Sequence, residues 1–415
     1  MEKHECVLCL NGGSSSLKFA LYQGDEKNCV GRGSITGIGT NPVLTVKGPI
    51  FGDMKPELGH CNSTTDAAGV VARLLQSVMP ENALIGIGHR VLHGQDMTEP
   101  TIVRPYVLAY LKTLIPLAPL HQPFNIEGIE MMMKMYPKVP QVACFDTAFH
   151  TTIAPLHTRF AIPRIWHDKG VRRYGFHGLS YDYIASRLKD VAPKAYAGKT
   201  IVAHLGSGAS LCAIEGGKSF ASTMGFSVLD GLIMGTRPGV LDPGVMLYFM
   251  REAKLDEKAI ERMLYHDSGL RGVSGISNDM AVLLASKEPE AREAIDLFCL
   301  RVTRELGGLV SVMGGINSMV FTGGLGENAV SVRAQIAESL RWLGIDLDLQ
   351  KNANPGKGEI LISSPSSKID VWLIPTDEES VIARYTRDLV ETYVKEVEAG
   401  HEARRKIHAT KETVM

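Results

Sequence analysis

Val7-Leu8-Cys9-Leu10-Asn11-Gly12-Gly13-Ser14-Ser15-Ser16-Leu17-Lys18-Phe19-Ala20-Leu21-Tyr22 reads as two apolar runs joined by a polar glycine and serine turn, the pattern of a β-hairpin. The pattern recurs downstream, where Thr200 to Leu205 and Leu211 to Ile214 flank Gly206-Ser207-Gly208-Ala209-Ser210. Aligned by sequence, Gly12 falls on Gly206, Ser16 on Ser210 and Leu17 on Leu211. Copies this far apart exclude a solenoid and predict two related domains facing each other. Each turn offers backbone N–H groups and hydroxyls in a concave array suited to phosphate oxygens. One such turn alone reads as a plain hairpin; two copies with a third glycine loop favour a phosphate ligand.

The rest of the chain fits that frame. At roughly 150 residues per domain, 415 residues predict two or three domains, each able to bury a core. Helical periodicity marks Ala67 to Val78, Val107 to Ile115, Asn125 to Tyr136, Ser180 to Leu188, Asp256 to Leu264, Glu290 to Leu306 and Val330 to Leu343. Short apolar runs bounded by turn residues predict strands at Ile85 to Ile87, Gln141 to Phe145, Ser318 to Thr322 and Asp370 to Ile374. The chain is thus an alternating α/β protein. Met131, Met132, Met133 and Met135 read as a packed helix face rather than a cofactor box. After Pro375 a long helix is expected to about Val397, followed by Gly400 and a frayed tail from His401 to Met415.

Composition removes several function classes. Forty-four Lys and Arg balance 45 Asp and Glu, and no long basic run exists to track a phosphodiester backbone, so a nucleic-acid partner is not expected. The apolar run Val7 to Leu10 is too short for a signal sequence. The uncharged stretch from Leu306 to Gly326 is broken by Asn317, hydroxyl residues and paired glycines, and reads as a buried helix then a buried strand, not a membrane span. Seven cysteines without regular spacing indicate reduced thiols in the cytoplasm. Cys6 and Cys9 point to opposite faces of one strand, which excludes a shared metal.

Candidate chemistry gathers at loops. Phe321-Thr322-Gly323-Gly324-Leu325-Gly326-Glu327-Asn328 ends a strand in glycines and begins a helix, where backbone can approach an anion or nucleotide. It is neither a P-loop nor a dinucleotide fingerprint. Gly88-His89-Arg90-Val91-Leu92-His93-Gly94 has zinc-pair spacing, but it follows a strand and lacks a glutamate base between the histidines. Arg90, at the expected strand end, is suited to bidentate binding of a carboxylate or phosphate. Asp146 follows a buried strand, at the strand end where open α/β sheets place their sites. Arg172, Arg173 and His177 precede a helix expected near Ser180, Arg237 sits in Met234-Gly-Thr-Arg-Pro-Gly239, and Asp377, Glu378 and Glu379 follow a strand. Arginines and carboxylates beside phosphate-friendly loops point to a Mg-nucleotide and an anionic substrate.

In order along the chain, Asn11-Gly-Gly-Ser-Ser-Ser-Leu-Lys18-Phe, Gly-His89-Arg90-Val-Leu-His, Ala118-Pro-Leu-His121, Phe145-Asp146-Thr-Ala-Phe-His, Arg173-Tyr-Gly-Phe-His177-Gly, His204-Leu-Gly-Ser-Gly-Ala-Ser, Met-Gly-Thr-Arg237, Gly-Ile276-Ser-Asn-Asp-Met and Phe-Thr-Gly-Gly-Leu-Gly-Glu327-Asn resemble the acetate kinase family from Val7 to about Arg384. The resemblance implies the acetate and sugar kinase, Hsp70 and actin superfamily: two duplicated actin-like, ribonuclease H-like domains with a cleft between them. It implies an N-terminal domain of residues 1–149 completed by the C-terminal helix 381–415, and a nucleotide-binding domain of residues 150–380 carrying the dimer interface. Hinges are expected near Asp146 to Pro155 and near Pro375. The implied reaction is reversible transfer of the γ-phosphoryl of ATP to acetate, with Mg²⁺ or Mn²⁺, by a cytoplasmic homodimer.

The same resemblance assigns roles. Arg90 and Arg237 would hold the substrate carboxylate and the transferring phosphoryl, and His177 would stabilise the transition state. Asn11, Asp146 and Glu378 would surround metal and phosphates. Ser14, Ser16 and Lys18 would belong to the first phosphate hairpin, and His121 would support the site. Leu92, Leu120, Phe176 and Val228 would shape the acyl pocket. His204, Gly206, Ser207 and Gly208 would hold the nucleotide with Gly323, Gly324, Gly326, Glu327 and Asn328. The chain departs from the family pattern at Ser207, where asparagine is usual, at Ala221 for aspartate, at Val228 for proline and at Pro238-Gly-Val240 for Ser-Gly-Asp. Propionate kinase is the nearest alternative. A pyrophosphate-dependent variant is disfavoured by the retained Gly323 to Asn328 loop. A non-catalytic nucleotide-binding module is disfavoured because it would not need Arg90, His177 and Arg237 together.

Overall fold

The computed structural model describes residues 5–13, 15–80 and 83–412, with 397, 398 and 400–412 described by backbone alone. The chain divides into two compact units: the residues up to Ala148 together with those from Glu378 onward, and Phe149–Asp377. The first unit holds β1 (Cys6–Gly12), β2 (Ser16–Gln23), β3 (Cys29–Thr36), β4 (Val43–Lys47), β5 (Leu84–Val91), β6 (Thr101–Ile102) and β7 (Gln141–Phe145) in one sheet of order β4-β3-β2-β1-β5-β7-β6. The second holds β8 (Lys199–Leu205), β9 (Ala209–Glu215), β10 (Lys218–Ser222), β11 (Ser318–Thr322), β12 (Ile360–Leu361) and β13 (Asp370–Leu373) in the order β10-β9-β8-β11-β13-β12. In both, an antiparallel meander continues through two parallel strands, β3-β2-β1-β5-β7 in one and β10-β9-β8-β11-β13 in the other. The sequence repeat is therefore a duplicated α/β fold.

The register revises the alignment of the two hairpins. Gly12 pairs with Leu17 across residues 13–16, whereas Leu205 pairs with Ala209 across residues 206–208, so the second turn is one residue shorter. Equivalent ladder positions are Asn11↔Lys18 and His204↔Ser210. Matching glycine to glycine had missed this, because a turn can lose a residue while its composition stays alike.

Burial explains which segments became strands. β1 and β8 lie between neighbours on both sides and are almost wholly buried, as their unbroken apolar runs require. β5 runs past Ile87 and incorporates His89 and Arg90. Its glycines are points of close approach: a Cβ on Gly86 would lie 2.9 Å from Thr386 Cγ2, and one on Gly88 would overlap Thr386 Oγ1 and Ile382 Cγ2. The C-terminal helix Glu378–Glu412 packs there. That helix continues through Gly400, since one helix-interior glycine costs only about 1 kcal/mol relative to alanine. β3 has the same explanation for its glycines, Gly31 lying against Ile50 and Phe51 and Gly33 against the Phe19 ring.

The helix Thr64–Val78 starts at a reciprocal cap, Asp66 N–H donating to Ser63 Oγ (3.1 Å) and Ser63 N–H to Asp66 Oδ2 (3.1 Å). Met132 is wholly buried, Met131 and Met135 pack on the β1–β2 core, and Met133 packs on a second cluster around Phe145, so the methionines are a packed face. The helix Pro289–Met313 stops at Gly314 (φ 68°) and leads into β11. Among the described residues no helix is long and apolar enough to cross a membrane. None of the seven cysteines is in a disulfide, and Cys6 and Cys9 are buried within β1.

Candidate active site

In the first unit, the C-terminal ends of β1, β5 and β7 bring Asn11, Arg90 and Asp146 together, and the first turn of the C-terminal helix adds Glu378. Arg90 donates from Nε to Asp146 Oδ1 (2.9 Å), from Nη2 to Asp146 Oδ2 (2.6 Å) and from Nη1 to Asn11 Oδ1 (3.0 Å). Asn11 Nδ2 in turn donates to Glu378 Oε2 (3.1 Å). A guanidinium has five N–H groups; three are used here, which leaves two for an anion. Burial opposes the Arg90 charge, but Asp146, Glu378 and Glu379 more than offset it, so the cation is held more firmly than in water. Glu378 keeps Oε1, and Asn11, Asp146 and Glu378 form an oxygen donor set of the kind a hard divalent cation takes. Among the described residues no group of three His, Cys, Asp or Glu could hold a metal without help. The set therefore suits an ion whose other ligands are phosphate oxygens and water.

The remaining first-unit candidates surround this cluster unevenly. Lys18, on β2, is exposed and acts electrostatically on Glu378, while Ser16 is paired with Thr36 at the strand start. Ser14 lies outside the described residues. Leu92 is buried just after β5, its N–H donating to Asn125 Oδ1 (3.0 Å), and Asn125 Nδ2 donates to the Gly12 carbonyl (3.0 Å). Asn125, read from sequence only as the start of a helix, thus ties the Arg90 strand to the first glycine turn. Leu120 and His121 are half-buried in the turn before the helix Gln122–Met135. His89 is no zinc ligand: it is buried against Gln141 (2.8 Å), and burial pushes it down to about 4, so it stays neutral. His93 Nδ1 accepts from the Gln95 N–H (3.0 Å).

In the second unit His177 caps the helix Gly178–Val191, two residues earlier than its periodicity suggested, in the left-handed region (φ 58°). Side chains rarely adopt that backbone outside functional or strained positions. Its Nδ1 meets Ser210 Oγ (2.8 Å) and its ring stacks on His204 (centroids 4.3 Å). His150 buttresses the preceding Phe176, its Nε2 against the Phe176 carbonyl (2.9 Å) and its Nδ1 against Ser219 (2.8 Å). Arg237 donates from Nη1 to the Val228 carbonyl (2.9 Å). A Cβ on Gly208 would come within 2.9 Å of Arg237 Nη2 and 3.2 Å of His177 Nε2, so both side chains converge on the Gly206–Gly208 turn. Ser207, exposed in that turn, accepts the Gly235 N–H through its carbonyl (3.1 Å). Val228 is buried and steadies Arg237 by a backbone carbonyl that proline would also supply; Ala221 is buried in β10 and Val240 is exposed.

The third glycine loop folds as the short helix Gly323–Asn328 after β11. Gly323 (φ 78°) is required, since a Cβ there would meet the Leu205 carbonyl oxygen at 2.7 Å. Gly324 and Asn328 are exposed, Asn328 Nδ2 donating to the Gly324 carbonyl (2.7 Å), and Glu327 Oε1 accepts the Thr376 N–H (3.2 Å). Thr376 Oγ1 meets Ser180 Oγ (2.9 Å), which meets His204 Nδ1 (2.8 Å), so hydroxyl links join this loop to β8. Arg333 is a further residue that sequence reading missed. Wholly buried, it donates from Nη1 to the Gly326 (2.9 Å) and Glu327 (2.8 Å) carbonyls, and from Nε and Nη2 to Asn352 Oδ1 (2.8 Å) and its carbonyl (2.7 Å). The only signal was a charge on a helix face otherwise lined by Val332, Ile336 and Ala337. Arg333→Ala is expected to lower stability by about 1 to 3 kcal/mol for each buried acceptor it leaves unpaired. It should also raise the KM for ATP; thermal unfolding with initial-rate kinetics measures both, and an unchanged Tm would contradict the assignment.

A duplicated fold, glycine turns suited to phosphate oxygens and two oriented arginines define a phosphotransferase for an anionic acceptor. The acetokinase family model matches residues 6–384. The acetate kinase of Rhodopseudomonas palustris is 48% identical over 391 residues, spanning 92% of this chain and 97% of that protein. A propionate kinase structure from Francisella tularensis subsp. tularensis SCHU S4 has TM-score 0.84 and 34% identity over 92% of this chain and 99% of its own. The Porphyromonas gingivalis acetate kinase structure has TM-score 0.81 and 32% identity over 93% and 100%. This chain belongs to the acetokinase family, kinases of actin-like architecture that phosphorylate a carboxyl group, with ATP as co-substrate and a divalent metal.

Proposed function

We propose that this chain is a Mg²⁺-dependent acetate kinase, reversibly transferring the γ-phosphoryl of ATP to acetate to give acetyl phosphate and ADP. The observation that carries this reading is Arg90, fixed by Asp146 and Asn11 with two N–H groups still available to a carboxylate. Acetate is ionised at neutral pH and needs no general base. The protein's task is charge management: carboxylate and triphosphate repel, and positioned cations must bring them in line and stabilise equatorial oxygen charge in a loose transition state. Arg90 binds and orients the carboxylate, and Arg237 with His177 stabilises the phosphoryl oxygens above Gly206–Gly208. Asn11, Asp146 and Glu378 would hold Mg²⁺, which supplies neutralisation of phosphate charge when bound. The Gly323–Asn328 loop, braced by Arg333, carries the nucleotide. Seven cysteines outside disulfides support a cytoplasmic setting. Exposed Leu247, Tyr248 and Met250, beside a 550 Å³ apolar groove lined by Met246, Ile260 and Leu264, support a homodimer.

Acyl phosphate trapped as the hydroxamate, with Mg-ATP and acetate, propionate or butyrate in turn, tests the reading. The highest kcat/KM is expected for acetate, and one methylene should shift it by about 10-fold to 200-fold. Preference for propionate would assign the sister activity, and no product with any acid would leave a nucleotide-binding module.

Glu378 gives a second test. Burial raises its pKa above the ordinary 4.5, with Asp146 adding and Arg90, Lys18 and Asn11 opposing. A carboxyl whose folded-state pKa is raised lowers stability as pH climbs from its unfolded value through its folded one. Glu378→Gln is therefore expected to have a higher Tm than the parent at neutral pH. That gain should vanish below the ordinary glutamate range, while the Mg²⁺ concentration for half-maximal turnover rises. A variant less stable than the parent at neutral pH would refute the charge assignment.

A further inference from the structure

Tyr181 lies one helical turn beyond His177 and is fully buried, its hydroxyl against Ser210 Oγ. Burial, with Cys212 nearby, raises its pKa well above the usual tyrosine range despite the Ser210 bond, so the phenol keeps its proton. A phenol has one proton to donate, and Ser210 Oγ is the acceptor beside it. Ser210, itself fully buried, then directs its own proton to its other neighbour, His177 Nδ1 at 2.8 Å. Proton counting thus makes Nδ1 an acceptor and leaves the ring proton on Nε2. Nε2 is the atom that approaches Gly208 beside Arg237 Nη2.

We propose that Tyr181 and Ser210 are positioning residues that hold His177 as the neutral Nε2–H tautomer, so that it presents a hydrogen-bond donor to phosphoryl oxygen at the Gly206–Gly208 turn. This rests on the assignment of His177 to the phosphoryl group. The opposite tautomer would aim a lone pair at an oxyanion and repel it. The relay moves no proton during turnover; its work is done before substrate arrives, as electrostatic preorganisation requires.

Long-range ¹H–¹⁵N correlation on the full-length, histidine-labelled chain without substrates reads the tautomer directly, with His177→Gln identifying the signals. Unprotonated Nδ1 and protonated Nε2 at neutral pH are expected. Ser210→Ala and Tyr181→Phe should mix the tautomers and lower kcat with little change in KM, by up to the roughly 10²-fold lost when one oxyanion donor is removed, and Ser210→Thr should restore both. A protonated Nδ1 in the unsubstituted chain would overturn the proposal, whatever the acceptor acid proves to be and whether or not the variants fold. An unchanged tautomer and kcat in Tyr181→Phe would overturn it equally.

Discussion

Arg90→Ala is expected to lower kcat by about 10³-fold, the scale at which an arginine stabilises a transferring phosphoryl group, and to lower Tm with it. The sequence motif predicts loss of turnover with the fold intact. The structure adds the second effect. Asp146 is fully buried and gives both carboxylate oxygens to Arg90, and Glu378 lies within the same hydrogen-bonded set. Removing the cation leaves buried negative charge without its partner, which costs about 3 to 5 kcal/mol when a buried pair is broken from one side. Arg90→Lys separates the two effects, because an ammonium keeps the charge but cannot bond Asp146 bidentately while reaching Asn11 and substrate. Lysine should recover most of the stability and little of the rate. Near-normal turnover in the alanine variant, measured by hydroxamate trapping alongside thermal unfolding, would remove Arg90 from the mechanism.

Arg237→Ala should lower kcat by about 10³-fold as well. Its Nη1 donates to the Val228 carbonyl, which holds the guanidinium in place. Its Nη2 faces the Gly208 backbone beside His177 Nε2, where phosphoryl oxygens are expected. In the proposed role that contact forms with the transferring group, so kcat and kcat/KM should fall together. A variant that raises KM for acetate and keeps kcat would make Arg237 a ground-state binding residue instead.

The parts of the fold legible from residues were those governed by local chemistry. Glycine and serine between apolar runs specify a hairpin wherever they occur, so the duplication was visible from two copies. Strands at Gln141–Phe145 and Ser318–Thr322 were read to the residue because they are short, apolar and bounded by turn residues. Glycine misled where it served packing: in β3 and β5 it makes room for Phe19, Phe51, Ile382 and Thr386, residues that no local pattern associates with it. Arg333, Tyr181 and Asn125 were passed over for a related reason. Each lies in a helix where a polar side chain reads as surface, and each is buried with a specific partner.

Motif order and spacing single out Arg90, His177 and Arg237 as candidates, because phosphate and carboxylate chemistry demands particular residue types beside particular turns. What those side chains do depends on partners 56, 79 or 367 positions away for the Arg90 cluster, and 33 away for His177 and Ser210. Hydrogen-bond direction, burial and the one-residue difference between the hairpin turns arise only when strands pair and pack. Charge and tautomer are set by solvent exclusion and by which proton has an acceptor, and both are properties of the assembled chain.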